Sequence, residues 1–300
     1  MSETIAYYVV DVFAESKYAG NPLAVFLDAD ELSPQEMQRI AKEINYSETT
    51  FVARGPEPDG AYRVRIFTPE AEIPFAGHPT LGTAYVLQRV KRPTADPRMT
   101  LRLGVGPIDV TLEYEDGGAE PKTLWMRQPQ PEAGPEAPKR TIADVLGLDV
   151  GDLDEQLPIQ EVSTGLPSLI VPVRSLQALK RAKPSREKLL RFAEEGGAKV
   201  VLAFAREALE PGNDLHVRVF AEALGIPEDP ATGSANGALA GYLLLHRVYG
   251  DRFALAAEQG YAVGRPSRLS LRGERAADGA HAVVVGGRCF LVARGEWFAG

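Results

Sequence analysis

Two stretches of this 300-residue chain repeat one another. Gly77-His78-Pro79-Thr80-Leu81-Gly82-Thr83-Ala84 lines up with the stretch around Gly233, with His78 on Asp229, Pro79 on Pro230, Gly82 on Gly233, Thr83 on Ser234 and Ala84 on Ala235. Upstream, Arg65-Ile66-Phe67 matches Arg218-Val219-Phe220, and 33–43 matches 185–195 as amphipathic helices that both start on serine. Repetition at this distance is the mark of an internal duplication. It limits the fold severely, because each half must be able to bury a core of its own. Two similar halves would also bring two helix N-termini to one shared cleft.

In the second copy Asp229 reads as an N-cap and Pro230 as the first helical residue, with Leu239, Tyr242 and Leu243 on a buried stripe. The first copy reads as a helix from Pro79 to about Arg89, ended by Arg92-Pro93. A helix start of this kind points free backbone amides outward, and at Gly233 no side chain blocks the approach. Either start could seat a carboxylate or a phosphate.

Elsewhere, short strand patterns dominate: 5–13, 22–28, 49–52, 61–68, 99–103 and 107–114, then 159–163, 168–173, 199–204, 214–220, 253–258, 268–272, 281–285 and 289–294. A helix over 34–44 opens with a capping box of Ser33 and Glu36. A short helix is expected at 142–146, and 129–138 reads as a Pro-rich surface connector. No βαβ alternation favours a doubly wound sheet. The fold class is α+β, two pseudo-symmetric domains each with a curved, mostly antiparallel sheet or barrel around a central helix. The first, 1–120, carries Glu48 and His78, with 115–121 as the crossing. The second, 121–300, carries Asp229 and Ser234, and its last dozen or so residues are candidates to pack back on the first.

Composition excludes several classes. A net charge of −8 without a basic run speaks against nucleic acid as a partner. The single cysteine, Cys289, permits neither a disulfide framework nor a Cys-ligated metal. His216, His246 and His281 lack ligand spacing, so no metal is expected. No apolar run approaches the ~20 residues needed to span a bilayer, and Met1-Ser2-Glu3-Thr4 lacks a basic leader, so a cytoplasmic protein without a membrane partner is expected.

Glu48 stands at the mouth of the strand 49–52 and falls on Val200 in the duplicated register, so the second half has no carboxylate there. One unmatched carboxylate, with His78 opposite Asp229, suits a proton-transfer site with Glu48 as the base. Plainer readings exist for each residue. Glu48 is also a typical solvated turn residue, Asp229 a sufficient N-cap, and His78 a cap or a core histidine. A hydrolytic triad through Ser234 is disfavoured, since no nucleophile elbow surrounds it.

Taken together, Gly20-Asn21-Pro22-Leu23-Ala24-Val25-Phe26, Ser47-Glu48-Thr49-Thr50-Phe51-Val52, 75–82, 228–235, Glu258-Gln259-Gly260 and Gly264-Arg265-Pro266-Ser267 resemble the PhzF-like phenazine-biosynthesis family. These stretches span about 6–295. The resemblance implies the diaminopimelate-epimerase fold, a homodimer, and a cofactor-independent isomerase acting on a small carboxylated carbon acid. It implies Glu48 as acid and base, His78, Asp229 and Ser234 as further catalytic groups, and Gly77, Gly233, Thr232 and Tyr46 as substrate contacts. Related epimerases use one cysteine in each half. Here Thr83 and Ser234 are expected in those helix turns, which excludes a two-thiol mechanism. The alternative is a carboxylate-binding protein of the same fold without turnover.

Overall fold

The computed structural model describes residues 4–92, 94–276 and 279–298. The chain separates into two compact units, Met1–Met126 with Gly286–Gly300, and Arg127–Val285.

The first unit contains β1 (Thr4–Val12), β2 (Asn21–Phe26), α1 (Pro34–Ile44), β3 (Thr49–Val52), β4 (Tyr62–Phe67), β5 (Glu72–Ile73), α2 (Gly77–Lys91), β6 (Arg98–Leu103), β7 (Gly106–Tyr114) and most of β8 (Pro121–Arg127). The second contains β9 (Glu132–Glu136), α3 (Lys139–Leu146), β10 (Gln160–Ser163), β11 (Pro167–Pro172), α4 (Leu176–Arg181), α5 (Arg186–Glu194), β12 (Val200–Ala205), β13 (Leu215–Ala221), β14 (Ile226–Asp229), α6 (Gly233–Leu245), β15 (Arg252–Gln259), β16 (Ser267–Arg275) and most of β17 (His281–Gly287). β18 (Cys289–Phe298) then returns to the first unit and pairs with β1 along its length.

Duplication is written into the strand pairing. In the first unit the neighbours run β18, β1, β2, β3, β4, β6, β7, and successive pairs are antiparallel, antiparallel, parallel, antiparallel, parallel, antiparallel. In the second unit β9, β10, β11, β12, β13, β15, β16 follow the same sequence of relations. Short β5 and β14 hang antiparallel on β4 and β13. Each unit is therefore α+β, mostly antiparallel, but with two parallel pairs bridged by helices. Those βαβ crossings were not visible as an alternation in the sequence, because the parallel partners are joined through long connections of mixed pattern.

Side chains repeat as well. Arg65 forks onto Glu72 and Arg218 onto Glu228, each through Nε and Nη2, and each guanidinium also lies over a ring, Phe67 or Phe220. Five residues after each glutamate a helix begins, at Gly77 and at Gly233. The structural repeat thus sets Gly77 on Gly233, which corrects the sequence register of His78 on Asp229 and Gly82 on Gly233. The segment between arginine and glutamate is longer in the second unit, where a 3₁₀ turn at Glu222–Leu224 is inserted.

Both central helices are buried on all sides. In α2 every residue from Gly77 to Gln88 is buried, and in α6 all but Ser234 and Leu245. Leu239, Tyr242 and Leu243 therefore belong to an all-round apolar surface instead of a stripe, as expected of a helix enclosed by its sheet. Gly82 permits that enclosure in the first unit, since a Cβ there would lie 2.7 Å from both Leu23 Cδ2 and Val12 Cγ2. On the outer faces, α1 covers a cluster including Phe26, Phe51 and Phe67, while α3, α4 and α5 cover one including Leu169, Val201 and Phe220.

Several boundaries differ from the sequence reading. α1 starts at Pro34 with the expected capping box of Ser33 and Glu36. α2 begins two residues before Pro79 and runs to Lys91, with Arg92 as its C-cap; Pro93 lies outside the described residues, as do Met1, Ser2 and Glu3 of the leader reading. Asp229 is the last residue of β14, not an N-cap, and α6 starts three residues after Pro230 with Thr232 as N-cap. The span 115–120 is the turn between β7 and β8, and the first crossing between units falls inside β8. The Pro-rich 129–138 carries β9, paired with β10.

Candidate active site

In the first unit, α1 ends on Asn45, whose left-handed backbone (φ 56°) and N–H to Ala41 O (3.0 Å) turn the chain sharply toward β3. Glu48 is the residue just before β3. The partner register supports its unmatched status, because Thr49 faces Phe67 as Val201 faces Phe220, which puts Val200 at the place of Glu48. A hydroxyl pair then fixes β3 to the helix: Thr50 Oγ1 and Thr83 Oγ1 are 2.9 Å apart and buried. Thr83 is accordingly a packing residue in the second turn of α2, not a first-turn group.

His78 occupies that first turn, one residue after Gly77. Its Nε2 approaches Glu48 Oε2 to 3.3 Å, without the alignment of a hydrogen bond, and the two side chains are only 5% and 12% exposed. Burial pushes the His78 imidazole down to about 3, so it is neutral at neutral pH. Ala76, the N-cap of α2, provides no side-chain cap, and the first turn holds no acidic residue. The start of α2 is therefore a positive helix end that its own N-cap residue does not cap, with a carboxylate and a neutral imidazole beside it. Tyr46 packs partly on the α1 cluster, two residues from Glu48.

The second unit builds its helix start differently. Thr232 caps α6 without accepting from the helix, and again no acid stands in the first turn. Its hydroxyl instead donates to Asp229 Oδ2. Asp229 is buried, as is Gln259, whose amide binds both residues: Nε2 donates to Asp229 O (2.7 Å) and to Thr232 Oγ1 (3.1 Å). Gly260 makes room for this, since it adopts φ +81° and a Cβ there would lie 2.5 Å from Pro230 O. Ser234 is partly exposed in the first turn, at the same helix position as His78 in α2. Thr80 and Asn236 correspond likewise, each side chain donating to the carbonyl of its own N-cap (2.7 and 3.0 Å).

Glu48, His78, Gly77 and Tyr46 thus belong to the first unit, and Asp229, Thr232, Gly233 and Ser234 to the second. The sequence reading assigns no role to Gln259 or Thr50 and places Thr83 only in register with Ser234, although Gln259 stands in one of the stretches quoted above. A glutamine followed by glycine was the available signal.

A second His–carboxylate pair has another character. Glu258 is fully buried and accepts from His216 Nδ1 (2.7 Å), Asn213 Nδ2 (2.9 Å) and the amides of Leu209 and Glu210. Burial opposes its charge, but those four donors hold its carboxyl below the usual range. It locks the 207–213 loop. Cys289 is buried at the start of β18, opposite Val12, and burial pushes its thiol up, so it remains protonated. Among the described residues no three of His, Cys, Asp and Glu gather as a metal site, and no helix is long and apolar enough to cross a membrane.

A family model described as phenazine biosynthesis-like protein matches residues 10–295. The chain is 38% identical over 292 residues to the trans-2,3-dihydro-3-hydroxyanthranilate isomerase of Pseudomonas aeruginosa, covering 97% of this chain and 98% of that relative. It is 34% identical to an uncharacterized isomerase of Deinococcus radiodurans, covering 97% and 94%. Among solved structures, a PhzF-family phenazine biosynthesis protein of Bacillus anthracis superposes with a TM-score of 0.88 at 29% identity, covering 99% of this chain and 100% of that one. A hydroxyproline epimerase of Agrobacterium vitis, at 10% identity and a TM-score of 0.66, covers 98% and 91% and shares the fold alone.

Proposed function

The chain belongs to the phenazine biosynthesis-like family and is an isomerase, and on that premise we propose that it moves a proton within a small carboxylated carbon acid, with Glu48 as general acid and base. Glu48 takes the proton from one carbon, and the electron pair left behind delocalises toward the substrate carboxylate. The same carboxyl group then returns the proton to a second carbon. Nothing is oxidised and no group is lost, so this reading requires no cofactor.

The amides of Gly77 and Gly233 hold the substrate carboxylate at the two helix starts, where developing negative charge is most favoured. Neutral His78, Asp229 and Ser234 hold the ring substituents through hydrogen bonds, and Thr232 and Tyr46 line the site. The observation that carries the reading is the shielded pair of Glu48 Oε2 and His78 Nε2, 3.3 Å apart, at a helix start whose N-cap residue, Ala76, supplies no side-chain cap. A shielded carboxylate beside a neutral imidazole at a helix start is the setting a proton-transfer group needs.

Substrate identity is tested with the compound named for the Pseudomonas relative, trans-2,3-dihydro-3-hydroxyanthranilate. Glu48→Gln, which keeps the shape and removes the base, is expected to lower kcat by about 10²–10⁴-fold with KM little changed. Wild-type turnover by that variant would refute the assignment of Glu48.

A further inference from the structure

The first turn of α6 is held by a side chain outside the proposed catalytic set. Gln259, the last residue of β15, has no exposed surface, and each end of its amide is used twice. Oε1 accepts from Thr232 N–H (3.2 Å) and from Asn236 Nδ2 (2.9 Å), while Nε2 donates to Asp229 O (2.7 Å) and Thr232 Oγ1 (3.1 Å). Two main-chain groups fix which end is which. The Thr232 N–H can only meet an acceptor and the Asp229 carbonyl can only meet a donor, so a flipped amide would lose both bonds.

The consequence passes one bond further. With Gln259 donating to the Thr232 oxygen, the single hydroxyl proton of Thr232 is directed to Asp229 Oδ2. Asp229 is separated from α6 by Pro230, Ala231 and the N-cap Thr232, and its side chain has two rotatable bonds of its own. A directed donor on one oxygen restrains both.

We propose that Gln259 is a positioning residue for the isomerisation: acting through the Thr232 hydroxyl, it sets the orientation of the Asp229 carboxylate against the first turn of α6. The inference rests on the reading of Asp229 as a site residue. It goes beyond that reading in naming what aims the carboxylate. It also gives Thr232 an orienting duty besides its place lining the site.

The test compares Gln259→Met, Gln259→Glu, Thr232→Val, Thr232→Ser and the Gln259→Met/Thr232→Val double variant in the full chain. Two readouts are needed: kcat and KM on trans-2,3-dihydro-3-hydroxyanthranilate, and crystal structures. Gln259→Met and Thr232→Val are each expected to lower kcat about tenfold or more with KM nearly constant, as misaimed groups do. The double variant should fall no further than either single one, since both break the same link. Thr232→Ser retains the hydroxyl and should lose far less of kcat than Thr232→Val, with Asp229 in its wild-type orientation in the crystal. In the Gln259→Glu crystal the Thr232 hydroxyl turns to the new carboxylate, and Asp229 swings away while α6 stays in place.

An Asp229 side chain unmoved in the Gln259→Met crystal, or effects of Gln259→Met and Thr232→Val that multiply, would overturn the proposal. Should Gln259→Met fail to fold, Thr232→Val, which removes only the hydroxyl, carries the same crystal test. If Asp229→Asn keeps full activity, the site reading has failed and not the link, and the orientation of Asp229 in the crystals alone decides whether Gln259 aims it.

Discussion

Two histidine–carboxylate pairs in one chain show how surroundings divide the same chemistry. His216 gives Nδ1 to a glutamate already bound by three other donors, and the result is a lock on a loop. His78 meets Glu48 at a helix start, with both side chains shielded. Burial alone pushes His78 down to about 3, against about 6.5 for a histidine in an unfolded chain. Between those two values the unfolded chain binds a proton that the folded chain refuses, so this contribution to stability is complete above pH 6.5 and is lost as pH falls. The slope is at most about 1.4 kcal/mol per pH unit. Urea melts at pH 7 and pH 5 should therefore show wild type losing about 2 kcal/mol more than His78→Asn. Burial also lowers His216, and that share remains in both proteins. Equal losses in the two would contradict a buried, neutral His78.

The helix starts show what sequence reasoning could and could not reach. Ser33 with Glu36 was legible as a capping box because every interaction in it is local, and α1 begins where those residues say. Asp229-Pro230 carries an equally good local signal for a helix start, and it is overridden. Asp229, in β14, pairs with Val219 of β13, and its carboxylate is engaged by Thr232, three residues on. Gln259, which donates to the Asp229 carbonyl and the Thr232 hydroxyl, lies far along the chain, where no local pattern could connect it. Gly260 keeps that contact possible. A methyl group there would collide with the carbonyl oxygen of Arg265 and press on that of Pro230, in a backbone conformation (φ +81°) that L residues resist. Gly260→Ala is expected to destabilise the protein by about 2 kcal/mol or more in denaturant melts, and to disturb the β14–α6 loop first. A stability change within about 0.5 kcal/mol would mean the loop tolerates displacement and does not fix Asp229.

Across the chain, the duplication was legible from Arg65 and Arg218, from the serine-started helices and from the glycine-rich helix beginnings, although the helix register was displaced by the Asp-Pro signal. The parallel strand pairs were not legible, because β2 with β3 and β11 with β12 meet only after intervening helices fold back. Equally, no local pattern tells β18 to return to β1, yet nine of its residues pair there. Truncation after Gly287 removes that partner and should unfold the first unit while β12 and β13 of the second keep their amide protection in hydrogen exchange. Unchanged protection of β1 would contradict the role given to β18. The reading of Glu48 as the proton carrier depends on a shared site for one ligand. A crystal structure with 2-aminobenzoate, an inert ring carboxylate, tests that directly: the ligand carboxylate should lie on the amides of Gly77 and Gly233 with the Glu48 carboxyl within about 4 Å of a ring carbon. A ligand held by one unit alone, with Glu48 turned away from the ring, would contradict it.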